Sequence, residues 1–208
     1  MEKILIHACC AHCLGKLLAG LKAEPVAYAP VVFWGNPNIH PLIEWRRRLK
    51  AVKMLVERAK LPLMADETYG LVEFCRAVHG HEDAPERCAR CYALRLGRAA
   101  KAAREAGCRV FTSTLVTSRH QDHALIRAAG EAAATAEGVE FLYRDWWAAE
   151  ADAGLVQMLY HQQYCGCVFS EYDRFKDTTT HLWPAPIASR ENLTVGEGSM
   201  GGFQGRAD

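Results

Sequence analysis

The sequence predicts one α/β domain built on a mainly parallel sheet. Three observations predict it. Short β-branched and aromatic runs alternate with apolar patterns at helical spacing along most of the chain. A proline-bearing loop over residues 36–41 and helix stops at Gly107 and Gly138 punctuate that alternation. The first apolar run ends directly in a histidine and a pair of cysteines, on the rim where open parallel sheets bind ligands.

Taken in order, residues 3–7 read as a buried strand, and helical spacing follows from about Leu14 to Lys22. Pro25 to Trp34 reads as a second strand. Asn36-Pro37-Asn38-Ile39-His40-Pro41 is a loop, because each proline biases its predecessor away from helix. Residues 42–59 place Leu42, Trp45, Leu49, Val52 and Val56 on one helical face. A short strand at Leu61 to Ala65, a helix over 68–78 and a polar irregular stretch from His79 to Arg87 come next. A helix over 89–106 is stopped by Gly107, and Cys108 to Leu115 is a strand. A helix over 120–136 stops near Gly138, Glu140 to Arg144 is a strand, and helix is expected again from 148 to 162. The pattern implies about five strands joined by right-handed crossovers, with helices on both faces. The regular pattern lapses from about Lys176. The expected division is a domain over 1–175 and an extension over 176–208, read as an appendage or disordered.

At 208 residues and half hydrophobic, the chain is long enough to bury a full core and too apolar to be largely disordered. A net charge of +1 gives no global nucleic-acid signature. The first residues lack the pattern of a secretory leader, and no segment approaches the ~18 apolar residues of a membrane span. The expectation is a cytoplasmic protein with no membrane partner. In that compartment clustered cysteines bind metal or do redox chemistry more often than they form structural disulfides.

Nine cysteines are present, most of them in clusters. Cys9 and Cys10, with Cys13 behind them, occupy the turn after the first strand, where helix N–H groups favour a thiolate. Cys88-Ala89-Arg90-Cys91 has chelating or redox spacing and points both sulfurs the same way across one helical turn. These four thiolates suit tetrahedral zinc or a [4Fe–4S] cluster, and spacing does not separate the two. Cys165-Gly166-Cys167 reads as a two-electron, two-proton store if it closes a strained bridge, or as two further ligands or two inert thiols. Cys75 and Cys108 stand apart and are expected in the core, while His123 and His181 are expected at the surface. His7 is placed to donate to a sulfur. Arg46, Arg47, Arg48, Lys50 and Lys53, and then Arg95, Arg98, Lys101 and Arg104, make two basic helix faces, usually a solvated feature. Arg87, Arg90 and Arg95 flank the second cysteine pair, which fits a phosphate-bearing substrate.

Four motifs in order then resemble one family. They are His7-Ala8-Cys9-Cys10, Asn36-Pro37-Asn38-Ile39-His40-Pro41, Arg87-Cys88-x-x-Cys91-Tyr92 with Arg95-Leu96, and Tyr160-x-Gln162-x-Tyr164-Cys165-Gly166-Cys167. Together they resemble the QueH family of epoxyqueuosine reductases over roughly residues 3–170. The resemblance implies a Rossmann-like (HUP-like) three-layer domain and reduction of epoxyqueuosine to queuosine at the wobble position of tRNA anticodons. It implies a [4Fe–4S] cluster on Cys9, Cys10, Cys88 and Cys91, and a redox-active pair at Cys165 and Cys167. It also implies an additional mononuclear iron at Cys13 and an external electron donor. Arg90, Tyr92 and Arg95 are the residues expected to meet tRNA phosphate or a base. Two departures from the family pattern stand out: His12 is where members often have a proline, and Ser118-Arg119-His120-Gln121 replaces Ser-Pro-His-Lys. A zinc-stabilised nucleic-acid module and a thiol–disulfide oxidoreductase are the competing readings of the same thiols.

Overall fold

A computed structural model describes residues 1–178. The expected extension over 176–208 therefore lies almost wholly outside the described residues, as does His181. The chain separates into Met1–Arg174 and Phe175–Asp208, and the first unit contains the five strands found among the described residues.

Those strands are β1 (Glu2–His7), β2 (Tyr28–Trp34), β3 (Leu63–Ala65), β4 (Val110–Ser113) and β5 (Glu140–Phe141). They form one parallel sheet in the order β3-β2-β1-β4-β5. The predicted α/β class and strand number are observed. β1 is central, so Ile4, Leu5 and Ile6 are buried from both faces, and the strand reads as an unbroken apolar run rather than an alternation. Each such side chain contributes roughly 1.5–3 kcal/mol by leaving water. Strand order reverses between β1 and β4, which opens a crevice beyond their carboxyl ends.

The helices are α1 (Ala11–Lys22), α2 (Leu42–Ala59), α3 (Leu71–Val78), α4 (Glu86–Glu105), α5 (His123–Glu137), α6 (Ala153–Val156) and α7 (Val168–Phe175). α1 packs on α2, and α4 on α5. Right-handed crossovers put these pairs on opposite faces of the sheet. α2 has the predicted bounds. α1 starts three residues before its expected first residue, because Cys10 caps it: the Cys10 sulfur accepts from the Cys13 N–H at 3.3 Å. α4 also starts early, so Cys88 and Cys91 both lie within its opening turns. Gly20 of α1 is required by a close approach: a Cβ there would lie 2.5 Å from the Trp146 ring.

The expected helix over 148–162 is corrected to the single turn of α6. Asp152 caps that turn by accepting from the Gly154 N–H at 2.8 Å, and Met158 adopts a left-handed φ of 62°. Carbonyls within that stretch and just beyond it go instead to arginines of α2. Arg58 donates to Leu155 O and Gln157 O at 3.0 and 2.8 Å, and Arg48 to Tyr164 O and Cys165 O at 2.9 Å each. Residues 157–167 thus form an irregular strap, and α7 follows it where no helix was expected. No helix among the described residues is long and apolar enough to cross a membrane.

Candidate active site

The crevice is stitched across its base. At the end of β1, His7 is fully buried, and its Nδ1 meets the Ser113 hydroxyl at the end of β4 at 2.8 Å. Its Nε2 meets Asn36 Oδ1 at 3.1 Å, and Asn36 Nδ2 donates to Ala8 O at 2.9 Å. The amide orientation makes Nε2 the protonated nitrogen, so Nδ1 accepts from Ser113. Burial, and then the charge on Arg95, lower the His7 pKa to about 3, so the ring is neutral. His7 was expected to donate to a sulfur. Both its nitrogens serve the strand ends instead.

Cys9 sits just beyond β1. Its N–H donates to the Thr114 Oγ1 at 3.1 Å, and its sulfur lies 3.1 Å from the same oxygen. Hydrogen bonds from the Cys10 and Cys13 thiols hold Cys9 well below the ordinary thiol range against the opposing effect of burial, with help from Arg95 and Thr114. Cys9 is therefore the most acidic thiol of the trio, and the Thr114 hydroxyl is placed to donate to its thiolate. Cys10 moves the other way, chiefly through burial. Gln162, on the strap, donates to the Cys10 sulfur at 3.0 Å and faces the Cys13 sulfur at 3.7 Å.

The second group of thiols lies on α4 and the strap. Burial pushes the Cys91 thiol up to about 12. Cys165 faces Gln121 Oε1 at 3.6 Å, and the Tyr92 hydroxyl donates to the same oxygen at 2.8 Å. Cys167 precedes α7, and its sulfur accepts from the Ser170 N–H at 3.3 Å. Gly166 between them has φ 145°, a conformation that disfavours any side chain, and its carbonyl accepts from the His40 N–H at 2.7 Å. All nine cysteines are free thiols.

Arg95 joins the two groups. It is 0 % exposed, and its Nη1 points at the Cys91 sulfur at 4.0 Å while Nη2 donates to Asn36 Oδ1 at 3.4 Å. Its Nε is buried with no partner. Burial alone would favour the neutral form, yet the sulfurs of Cys91, Cys9 and Cys165 raise its proton affinity above the usual arginine value. A buried guanidinium faced by sulfur and amide groups, with no carboxylate in its hydrogen-bonded set, needs anionic sulfur as its counter-charge. That donor set fits a thiolate-bound group of negative charge. Cys88 lies further along, where Arg87 and Cys167 influence it. No three His, Cys, Asp or Glu side chains among the described residues form a ready-made metal site.

Above these sulfurs lies a cleft of about 790 Å³, whose lining includes Cys9, Cys13, Cys165, Lys16, Arg119 and His120. Of the residues expected to meet RNA, Arg90 is exposed, but Tyr92 and Arg95 are buried, Tyr92 bonded to Gln121 and Arg95 facing the Cys91 sulfur. A surface role for those two is corrected by the packing of α4 on α5 and on the sheet. Cys75 is exposed rather than in the core, whereas Cys108 is buried as expected. His123 is half-buried, bonded to the Tyr143 hydroxyl at 2.9 Å and to Ser118 O at 3.0 Å, not solvated. The reading of α2 as a solvated basic face missed Arg48, which is 1 % exposed and paired with Glu44 at 2.6 Å. The four-residue spacing from Glu44 was the available signal.

A doubly wound domain with its cleft at the switch point and thiols on the floor has the form of an α/β oxidoreductase. The family model described as "Epoxyqueuosine reductase QueH" matches residues 4–173. Epoxyqueuosine reductase QueH of Dehalococcoides mccartyi is 38 % identical over 176 residues, covering 83 % of this chain and 94 % of that protein. Its namesake in Histophilus somni is 33 % identical, covering 94 % of this chain and 80 % of that protein. The one from Thermotoga maritima is 31 % identical, with 84 % and 93 % covered. The chain belongs to the QueH family of epoxyqueuosine reductases.

Proposed function

We propose that this chain reduces epoxyqueuosine to queuosine in tRNA, with a [4Fe–4S] cluster on Cys9, Cys10, Cys88 and Cys91 and a redox-active pair at Cys165 and Cys167. The single observation that carries the cofactor reading is Arg95: a fully buried cation whose surroundings are sulfur from both thiol groups. Cys13 is the thiol that would hold an additional iron. Bound there, such centres supply single electrons and a Lewis acid.

The chain's own residues divide the remaining work. Removing the epoxide oxygen as water consumes two electrons and two protons and leaves a carbon–carbon double bond. Oxidation of the Cys165 and Cys167 thiols to a disulfide releases two electrons and two protons, and an external donor restores the thiols. Gln121 accepts from Tyr92 and faces the Cys165 thiol, fixing that sulfur toward the cleft. Thr114 and Gln162 orient the sulfurs at the β1 end. Lys16, Arg119 and His120 along the cleft suit the phosphates of an RNA substrate. Peripheral placement leaves Arg90 for backbone contact outside the cleft.

Anaerobic purification followed by iron, zinc and sulfide analysis, with nucleoside mass spectrometry of tRNA after reaction, tests this. Converting Cys165 and Cys167 together to serine should leave visible absorbance intact and abolish conversion. Cys88→Ser should remove the absorbance. Loss of colour in the double variant would make the pair ligands, and a colourless zinc protein without sulfide would overturn the cluster assignment.

A further inference from the structure

Two tryptophans adjacent in sequence take opposite places. Trp146 is buried against Gly20, while Trp147 is 43 % exposed at the edge of the cleft. An exposed aromatic ring on a loop is ordinarily mobile, but Trp147 is held from three directions. Lys16 of α1 donates to its carbonyl at 3.1 Å, Asp145 accepts from its N–H at 3.0 Å, and the Arg119 guanidinium lies 5.4 Å from its ring centre. None of these contacts buries the ring.

Arg119 and Trp147 also line a second depression, of about 360 Å³, whose other walls are His123 and Asp145. The same two residues line the main cleft. The pair is thus shared by two concavities, both within the size range of small-ligand pockets. His123 spends both ring nitrogens on Tyr143 and Ser118, so it offers the second depression a ring surface rather than a donor. Asp145 adds an acceptor for the N–H edge of a base. A planar apolar face, an adjacent cation and a hydrogen-bond acceptor are the groups that hold an unpaired nucleobase and its phosphate.

We propose that Trp147, with Arg119 and Asp145, forms a second nucleobase subsite. It binds the unpaired base next to the modified nucleotide, while the modified nucleotide occupies the main cleft. The inference rests on the RNA-substrate reading above. It makes the enzyme prefer an anticodon loop over the isolated nucleoside, because only the loop fills both depressions.

The test compares an epoxyqueuosine-bearing anticodon stem-loop with free epoxyqueuosine nucleoside. Trp147→Ala should raise KM for the stem-loop by between about 5-fold and 150-fold, the worth of one base stacked on an aromatic ring, with kcat unchanged. Because Trp147 also borders the main cleft, KM for the nucleoside should rise by a clearly smaller factor, and Trp147→Phe should recover most of the loss. An abasic residue beside the modified nucleotide should penalise the wild type by the same factor and Trp147→Ala not at all. As a readout independent of turnover, a stem-loop carrying guanosine at the modified position should quench wild-type tryptophan fluorescence more than that of Trp147→Phe. Equal losses on nucleoside and stem-loop, or no loss on either, would overturn the subsite and leave the reductase reading standing. Equal quenching by a heparin oligosaccharide would reduce the contact to charge and also overturn it. A wild-type enzyme that converts neither substrate would remove the RNA reading itself, and the subsite with it.

Discussion

Cys10 and Cys167 occupy equivalent local positions at opposite sides of the site, and they are held by different means. Each precedes a helix, and each sulfur accepts an N–H from three residues on, Cys13 in one case and Ser170 in the other. Around Cys10 everything is regular: a central strand leads in, and a twelve-residue helix buried along one face leads out. Around Cys167 almost nothing is. The strap before it has no ladder, and side chains from distant elements fix its backbone, chiefly Arg48, whose charge Glu44 balances at 2.6 Å. Tyr160 closes the arrangement by donating to the second oxygen of Glu44 at 2.5 Å. The same N-cap geometry can thus be reached through sheet topology or through one buried arginine.

The sharpest way to break this comparison is Arg48→Met. It leaves Glu44 buried without its cation and frees two carbonyls, so denaturant titration should show a loss of about 3–5 kcal/mol. Conversion should fall at least about 100-fold, since a displacement near 1 Å of a reacting group costs that much. Arg48→Lys should fail to rescue, because a point charge cannot serve Glu44 and two carbonyls together. Full activity in either variant would show that the strap holds itself. On the β1 side, Thr114→Val removes the hydroxyl donor to Cys9. Iodoacetamide alkylation of Cys9 in metal-free protein at neutral pH should slow by about tenfold, with Thr114→Ser close to wild type. An unchanged rate would mean that Cys10 and Cys13 suffice to hold the thiolate.

Smaller effects separate the two sides further. The Ser170 hydroxyl accepts from the Gly166 N–H at 3.2 Å and donates to Cys167 O at 2.7 Å. Ser170→Ala should lower stability by about 1 kcal/mol per lost bond, measured by thermal melting, without touching Cys9 reactivity. His40 supports the strap through its backbone, while its ring packs between Tyr69 and Phe74. Burial, opposed by one bond to Pro37 O, lowers its pKa to about 4. The unfolded chain then takes up a proton near the ordinary histidine value, about 6.5, that the folded chain refuses. This stabilisation is complete above that value and is lost as the pH falls toward 4. Melting temperature should therefore decline across that window, and His40→Gln should flatten the decline.

The sheet was legible in the chain because its information is local. Ile4 to Ile6 can only be a strand buried on both faces, and the Leu42-to-Val56 spacing can only be a helix against a core. The first thiol group was legible for the same reason: Cys9 and Cys10 follow β1 directly, and topology alone carries them to the switch point. The strap was not, since its apolar spacing between 148 and 162 imitates a helix. What overrides that spacing is a partner 97 and 99 residues away in sequence, Arg58 of α2, which takes Leu155 O and Gln157 O, and nothing near them announces it. Tyr92 and Arg95 were misread as surface residues because a basic, aromatic helix start looks alike whether it faces water or sulfur.

The arginines of α2 grip the strap by its peptide oxygens: Leu155 and Gln157 through Arg58, Tyr164 and Cys165 through Arg48. A grip of that kind is indifferent to spelling. Met158, His161 and Gln163 face outward from the tethered segment and can be exchanged during divergence while the dithiol stays where it is. Tolerance toward new substrates is thereby located in the very stretch that carries Cys165 to the cleft.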